Sequence, residues 1–131
     1  MRKTLPLLTV VLLAGCQTWG PTWSEVTGVR YYRTELNRMP AIIEKIDGSS
    51  AYPARRGEPI RVEPGRRVIE LQGVPPSLGF RGTLQEFVLE AAPCKRYYVN
   101  AQFDNRLSPS KWAPVIDEVE TIAGCTVVAA K

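Results

Sequence analysis

Residues 59–72 read PIRVEPGRRVIELQ, and this stretch decides the fold class. Before the turn, Ile60 and Val62 alternate with charged residues, so both apolar side chains fall on one face of a strand. Pro64-Gly65 is typical of a type II turn, because proline presets the first φ angle and glycine accepts a positive one. Apolar, β-branched residues return in 67–72. The stretch therefore predicts a β-hairpin around Pro64-Gly65.

Further strand patterns lie on both sides of this hairpin. Upstream, the apolar run 41–46 ends at Asp47-Gly48, a dipeptide that favours tight turns between strands. Downstream, residues 83–91 and 94–103 alternate apolar and polar side chains, as half-buried strands do. Together these segments predict an all-β domain, a small antiparallel β-sandwich or open barrel of about six or seven strands.

Residues 112–122 (WAPVIDEVETI) fit two secondary structures. As a helix, their apolar side chains form one stripe, with Pro114 near the start and Gly124 past the end. As a strand, their β-branched content agrees with the rest of the chain. We favour the strand, because Cys125 must return to Cys94 beside a sheet.

The first 15 residues have the pattern of an export signal. Arg2 and Lys3 precede an apolar run over 5–13. That run is far shorter than the ~20 residues that cross a bilayer, so it predicts a signal helix rather than a membrane span.

Leu13-Ala14-Gly15-Cys16 follows the apolar run and resembles the lipobox of bacterial lipoproteins. The resemblance implies cleavage before Cys16 and attachment of a diacylglycerol and an N-acyl chain to that cysteine. Gln17 stands where an aspartate favours the inner membrane, so the family's sorting rule implies the periplasmic side of the outer membrane in a Gram-negative host. We therefore expect a lipid-anchored envelope protein.

On this interpretation the chain has three parts: a signal peptide (1–15), a lipidated cysteine with its tether (16–25) and a single β domain (26–131). The whole chain has a formal net charge of +4, and the signal peptide carries Arg2 and Lys3, so the mature chain has +2. A nucleic-acid-binding domain needs a dense basic face, so we expect no nucleic-acid partner.

The chain has three cysteines and no histidine. With Cys16 lipidated, Cys94 and Cys125 remain as an even pair in an oxidising compartment, which predicts a structural disulfide. Without histidine, neither a Ser-His-Asp or Cys-His catalytic group nor a zinc site of the usual kind can form. We expect no metal and no cofactor apart from the acyl chains.

Two further resemblances concern the mature chain. Ile46-Asp47-Gly48 and the strand–turn–strand pattern of 60–71 resemble a PEGA-type module, although Arg66 stands where that module usually has glutamate. This implies a small β-sandwich of envelope proteins, often taken to help attachment or binding, and no active site. The second half resembles short uncharacterised proteobacterial lipoproteins through Cys94, Tyr97-Tyr98, Trp112, Pro114 and Cys125.

Two surface features are candidates for binding. Arginines on both sides of the Pro64-Gly65 turn suit lipid phosphates, lipopolysaccharide or an acidic partner. The Pro- and Gly-rich loop 73–82 contains apolar side chains that turn chemistry does not require, which is typical of a recognition loop. The predicted partner-binding residues are Arg61, Arg66, Arg67, Leu78 and Phe80.

Two other groups have less specific patterns. The carboxylates of Asp117, Glu118 and Glu120 fit a solvated strand face better than an acid/base pair. The aromatic group fits core packing better than a platform for sugar rings, and its members are Tyr31, Tyr32, Tyr97, Tyr98 and Trp112.

These observations favour a non-enzymatic outer-membrane lipoprotein. Its β domain would bind another envelope component, a protein or a glycan, as an adaptor or assembly module. The alternative is a module that binds glycan or lipopolysaccharide, or that inhibits a foreign hydrolase. In an enzyme, Asp117 and Glu118 would be the only plausible acids.

Overall fold

A computed structural model describes residues 21–28, 36–51, 58–73, 83–105 and 108–127. Every regular element in these ranges is a β-strand, so the all-β class is confirmed. None of these ranges contains a helix with the length and apolar character needed to cross a bilayer. The signal peptide, Cys16, Leu78 and Phe80 lie outside the described residues.

Eight strands are present in the described ranges, and they join into one open sheet with the order β4-β1-β7-β2-β5-β6. Strand β3 pairs with β2, and β8 pairs with β7. The strands are β1 (Ser24–Thr27), β2 (Arg38–Ile46), β3 (Ser49–Ser50), β4 (Ile60–Val62), β5 (Gly65–Gly73), β6 (Leu84–Ala91), β7 (Lys95–Asn105) and β8 (Ser108–Thr121).

Strand β7 organises the fold, because three strands pair with it. β8 lies antiparallel along one edge, whereas β1 and β2 follow each other along the other edge. The β1–β7 pair is parallel and the other pairs are antiparallel, so the sheet is mixed. β1 occupies the edge beside 96–98, and β2 occupies it beside 100–102. The two strands run towards each other, so β2 has to leave the edge where β1 ends.

Gly28 makes this departure sterically possible. Its carbonyl oxygen accepts a hydrogen bond from the amide of Ala41 at 3.0 Å. A Cβ atom at position 28 would lie 2.0 Å from the carbonyl oxygen of Ala41, which no side chain tolerates. From Ala41 onward β2 pairs with β5 instead of β7, and in this way it carries the chain into a second layer.

The two layers enclose one hydrophobic core, which gives the molecule a sandwich-like form. The first layer contains β4, β1, β7, β8 and the start of β2, and the second contains β3, the rest of β2, β5 and β6. The first layer contributes Val26 and Val99 to the core, and the second contributes Ile69 and Leu71. All four side chains are fully buried.

The pairing expected for residues 60–71 is wrong. Within the described residues 58–73, β4 pairs with β1, whereas β5 pairs with β2 and β6. Pro64-Gly65 is a corner at which the chain passes from one layer to the other, with Gly65 at φ 109°. Alternation identified the apolar face of each strand correctly. It contains no information about which neighbour each strand pairs with.

A tight hairpin does form, but at Asp47-Gly48. Asp47 and Gly48 have φ values of 50° and 81°, and they join β2 to β3. The Asp47 carboxylate accepts a hydrogen bond from the amide of Val68 at 2.8 Å and forms an ion pair with Arg67 at 2.8 Å. The Asp47 amide also donates to the Val68 carbonyl at 2.8 Å, so backbone and side chain together close this end of the β2–β5 ladder.

The two remaining local predictions are confirmed. Residues 112–121 belong to β8 and contain a β-bulge opposite the step from Tyr98 to Val99. Cys94 and Cys125 form a disulfide with their Cα atoms 5.4 Å apart. Ser24 and Glu25, which the sequence analysis assigned to the tether, are the first residues of β1.

Candidate functional site

The structure does not gather the three candidate arginines into one patch. The Arg61 guanidinium on β4 lies 4.5 Å from the ring centroid of Trp23, a cation–π distance. Arg67 on β5 forms an ion pair with Asp47 in the second layer. Arg66 points to the opposite face of β5, where its register partner is Glu90. Arg61 is separated from the other two because β4 and β5 belong to different layers, and Arg66 and Arg67 are separated because adjacent residues of a strand face opposite sides.

A partly buried ion network occupies the outer face of the first layer. Arg96 donates a hydrogen bond from Nε to Glu25 at 2.5 Å, and its Nη1 lies 3.3 Å from Glu120. The Glu25 carboxylate also accepts a hydrogen bond from the indole of Trp23 at 3.0 Å, and the Tyr98 hydroxyl donates to Glu120 at 2.5 Å. Glu25 is only 6 % exposed. The network ties β1, β7 and β8 together.

Arg96 is the cation that holds this network. Burial by itself lowers the pKa of its guanidinium, but hydrogen bonds and charge interactions with Glu25 and Tyr98 outweigh burial and raise the pKa above its ordinary value. A raised pKa means that the stabilisation is complete at every pH below the ordinary arginine pKa. It is lost only when the pH rises through the raised value. The ion pair with Glu25 therefore keeps its cation across the whole physiological range.

The expectation of a solvated carboxylate face is wrong for Asp117. Its side chain is 1 % exposed and forms an ion pair with Arg38 at 2.7 Å. Strand alternation predicts opposite faces for Asp117 and Glu118, but the bulge changes the register at this point. Asp117 therefore reaches Arg38 on the outer face of the first layer. Glu120 is engaged by Arg96 and Tyr98, and Glu118 is exposed.

Glu25→Gln tests whether the network stabilises the fold. We expect the free energy of unfolding to fall by about 1.5–3 kcal/mol, the usual contribution of a hydrogen bond to a charged group, because the glutamine lacks the charge that Arg96 faces. Urea denaturation followed by circular dichroism measures the change. Glu86→Gln is the control, at an exposed strand position of β6 outside this network. Equal losses in the two variants would contradict a specific role for Glu25.

Metal binding has no candidate residues in the described part of the chain. There, no group of three or more His, Cys, Asp or Glu side chains is arranged to hold a metal ion. The carboxylates of Glu25, Glu120 and Asp117 are instead engaged by arginines.

A surface suited to binding is found at the junction between the two layers. At one end, the indole of Trp112 in β8 donates a hydrogen bond to the Thr83 hydroxyl at 2.8 Å, and the Gln85 amide donates to the Trp112 carbonyl at 2.6 Å. At the other end, the amide of Ala92 donates to the Tyr97 hydroxyl in β7 at 2.8 Å. β6 therefore starts beside β8 and ends over β7.

This diagonal course leaves a wedge between β6 and the C-terminal half of β8, around Ile116 and Val119. We call this wedge the β6–β8 opening. Ile116 and Val119 of β8 have Val99 and Tyr97 as register partners, so they lie on the core face of the first layer. They are nevertheless 46 % and 50 % exposed. Within the described ranges, β6 pairs only with β5 and β8 only with β7, so each strand also has one edge without a partner strand.

Sequence reasoning did not find this opening. Ile116 and Val119 had a recognisable apolar pattern, but the pattern is that of buried core residues. Only the course of β6 leaves them uncovered. Tyr97 and Trp112 belong to the core as expected, whereas Tyr98 is buried on the outer face, where its hydroxyl donates to Glu120.

Comparisons with known proteins identify no relative. No family model, no curated protein and no solved structure matches the chain. The resemblances of the leader and of residues 46–71 stay predictions.

Proposed function

We propose that the protein is a non-enzymatic, lipid-anchored lipoprotein of the outer membrane, facing the periplasm. Its β domain acts as an adaptor that holds an extended segment of another envelope protein in the β6–β8 opening. The lipobox pattern ending at Cys16 supports the anchor. The Cys94–Cys125 disulfide supports an oxidising compartment, where such bonds form and persist.

The observation that carries the proposal is the half-exposed pair Ile116 and Val119 on a core-facing strand. Covering apolar side chains on an inner face with another element removes their surface from water, which lowers the free energy. The edges of β6 and β8 offer backbone donors and acceptors on both sides of the same gap. An extended peptide satisfies both requirements, because its backbone pairs with an edge and its alternate side chains enter the apolar wedge.

The glycan-binding alternative has less support from the described residues. Sugar rings stack on exposed aromatic faces, but Tyr97, Tyr98 and Trp112 are buried in the fold. On the β8 side, the opening instead exposes the aliphatic side chains of Ile116 and Val119, which suit apolar residues of a protein partner.

Site-specific photo-crosslinking in living cells tests the adaptor function. A photoreactive amino acid replaces Ile116 or Val119 in the full-length lipoprotein, and adducts are identified by mass spectrometry. Val88 is the matched control, because it is 46 % exposed but lies on the outer face of β6 opposite Val68. We expect one discrete protein adduct from positions 116 and 119 and none from position 88.

A second variant removes the apolar surface itself. Val119→Asp introduces a charge that the wedge cannot bury, so it should abolish the adduct from position 116 while the protein still accumulates at normal levels. Adducts of equal yield from all three positions, or none from 116 and 119, would contradict binding at the opening. A Cys16→Ser version shows whether capture of the partner depends on the anchor.

A further inference from the structure

The N-terminal residues 21–23 are fastened to one end of the domain. The amide of Thr126 donates a hydrogen bond to the Pro21 carbonyl at 3.0 Å, and the amide of Cys94 donates to the Trp23 carbonyl at 2.8 Å. The Thr22 hydroxyl donates to the carbonyl oxygen of Thr126. Three consecutive residues before β1 thus have defined positions on the domain.

The disulfide holds together the two segments that receive these residues. It links Cys94, whose amide binds Trp23, to Cys125, which directly precedes Thr126. The amide of Trp23 also lies 3.5 Å from the Cys125 sulfur. The chain therefore enters the domain at the disulfide, and its entry point is fixed.

The distance from this entry point to the lipidated cysteine is short. Four residues, 17–20, separate Cys16 from Pro21. Five residue steps span at most about 18 Å when fully extended. β7 has 11 residues and leads away from the disulfide over about 36 Å. Because the tether is half the length of the domain, it cannot present an arbitrary face of the domain to the membrane.

The composition of this end agrees with a position beside lipid. We call residues 21–24, 92–95 and 121–127 the disulfide pole. Lys95 is the charged residue in these ranges, and the Arg61 guanidinium stacks on Trp23, while the exposed Glu63 follows Val62, the register partner of Ser24. Headgroups of anionic lipids attract lysine and repel carboxylates. The exposed residues of the pole are small or apolar and include Ala92, Pro93, Ala123 and Val127.

We infer that the disulfide pole faces the bilayer and lies against its surface, with the opposite end of β7, at Asn105, directed away from it. This inference rests on the lipidation of Cys16 in the proposed function. It does not depend on a partner protein in the β6–β8 opening. The bound partner segment is then held at a short, fixed distance from the membrane rather than on a long, flexible tether.

Lysine labelling of the reconstituted lipoprotein tests the orientation. The full-length mature protein is inserted into vesicles of phosphatidylethanolamine and phosphatidylglycerol and acetylated with a charged, membrane-impermeant ester. Lys95 reports on the pole, and Lys111 is the internal reference because it is exposed and lies about 30 Å further along β8. Mass spectrometry gives the ratio of Lys95 to Lys111 acetylation.

The matched comparison is a variant with a longer tether. A Gly/Ser insertion of roughly twelve residues between Gln17 and Thr18 adds about 20 Å of average reach and leaves the pole unchanged. We expect the acetylation ratio of the native protein to be several-fold lower than that of the insertion variant. The hydrogen bond from Lys95 to Thr121 is present in both, so it does not affect the comparison.

Vesicle flotation separates the two ways in which the experiment can fail. If the protein floats but the ratio is the same in both variants, the orientation is overturned and the anchor stands. If the protein does not float, the anchor in the proposed function is wrong, and the orientation fails with it. A low native ratio without any adduct at the β6–β8 opening would uphold the orientation and overturn the adaptor function.

Discussion

Replacing Trp112 by alanine is expected to lower the free energy of unfolding by about 3–5 kcal/mol, the usual cost of deleting a large buried side chain. Trp112 is 6 % exposed and belongs to the core cluster. Its ring packs near Phe103, with the ring centroids 6.3 Å apart. Truncation leaves a cavity that the surrounding strands cannot fill, because β7 and β8 hold their register by backbone pairing.

The position of Trp112 makes this loss larger than its area alone suggests. Its indole donates the hydrogen bond to Thr83 that joins the two layers, and alanine cannot replace it. The ring also lies against the backbone of Gly73, where a Cβ atom would come within 2.7 Å of it. The indole of Trp112 therefore occupies the space that a side chain at position 73 would need. The variant removes the Thr83 bond at the closed end of the β6–β8 opening, where only the bond from Gln85 to the backbone carbonyl of residue 112 is retained.

Urea denaturation of the wild type and of two variants measures this effect. Trp112→Phe is the intermediate variant: it keeps one aromatic ring but loses the indole hydrogen bond, which contributes about 0.5–1.5 kcal/mol, and part of the packing on Gly73. We expect the phenylalanine variant to lie between wild type and alanine. A loss below about 1 kcal/mol for Trp112→Ala would contradict its role in joining the layers.

The Asp47-Gly48 turn, the strand at 112–121 and the disulfide were predicted correctly. The Asp47-Gly48 turn needs two consecutive positive φ values, and both residues adopt them. The strand at 112–121 was favoured over a helix because a disulfide had to return beside a sheet, and both features are present. The turn depends only on the conformations of two adjacent residues. The disulfide, and with it the strand at 112–121, follows because the cysteine count leaves only one pairing.

Features that depend on distant partners did not follow from the sequence. The residues around Pro64-Gly65 have the composition of a hairpin, but β1 pairs with β4 from the far end of the chain. The bulge that buries Asp117 is a mismatch between two strands, and neither sequence alone records it. Likewise, Ile116 and Val119 become a candidate site only because β6 crosses the layer diagonally. Register and layer crossing are properties of pairs of strands.

Removing the disulfide with the double substitution Cys94→Ala and Cys125→Ala is expected to lower the free energy of unfolding by about 3–4 kcal/mol. The bond joins residues 31 positions apart, and the loop it closes includes all of β7 and β8. In the chain-entropy account, the link restricts the unfolded chain, so its loss stabilises the unfolded state. Thermal unfolding with and without reductant measures the effect.

The reductant provides the control, because it should lower the midpoint of the wild type to that of the double variant and leave the double variant unchanged. If reductant leaves the wild-type midpoint where it was while the thiols titrate as free, the disulfide does not stabilise the domain. Single substitutions are less informative, since each leaves a reactive thiol behind.

Hydrogen exchange distinguishes the global effect of the disulfide from a local one. The amides of Cys94 and Thr126 donate to Trp23 and Pro21, so they report directly on the docked N-terminal segment. If the bond only restricted the unfolded chain, all slowly exchanging core amides would lose protection equally. We expect the amides at positions 94 and 126 to lose more protection than that of Val99 in the centre of β7. Such a difference would mean that the disulfide also fixes the point at which the lipid tether enters the domain, which the proposed orientation at the membrane requires.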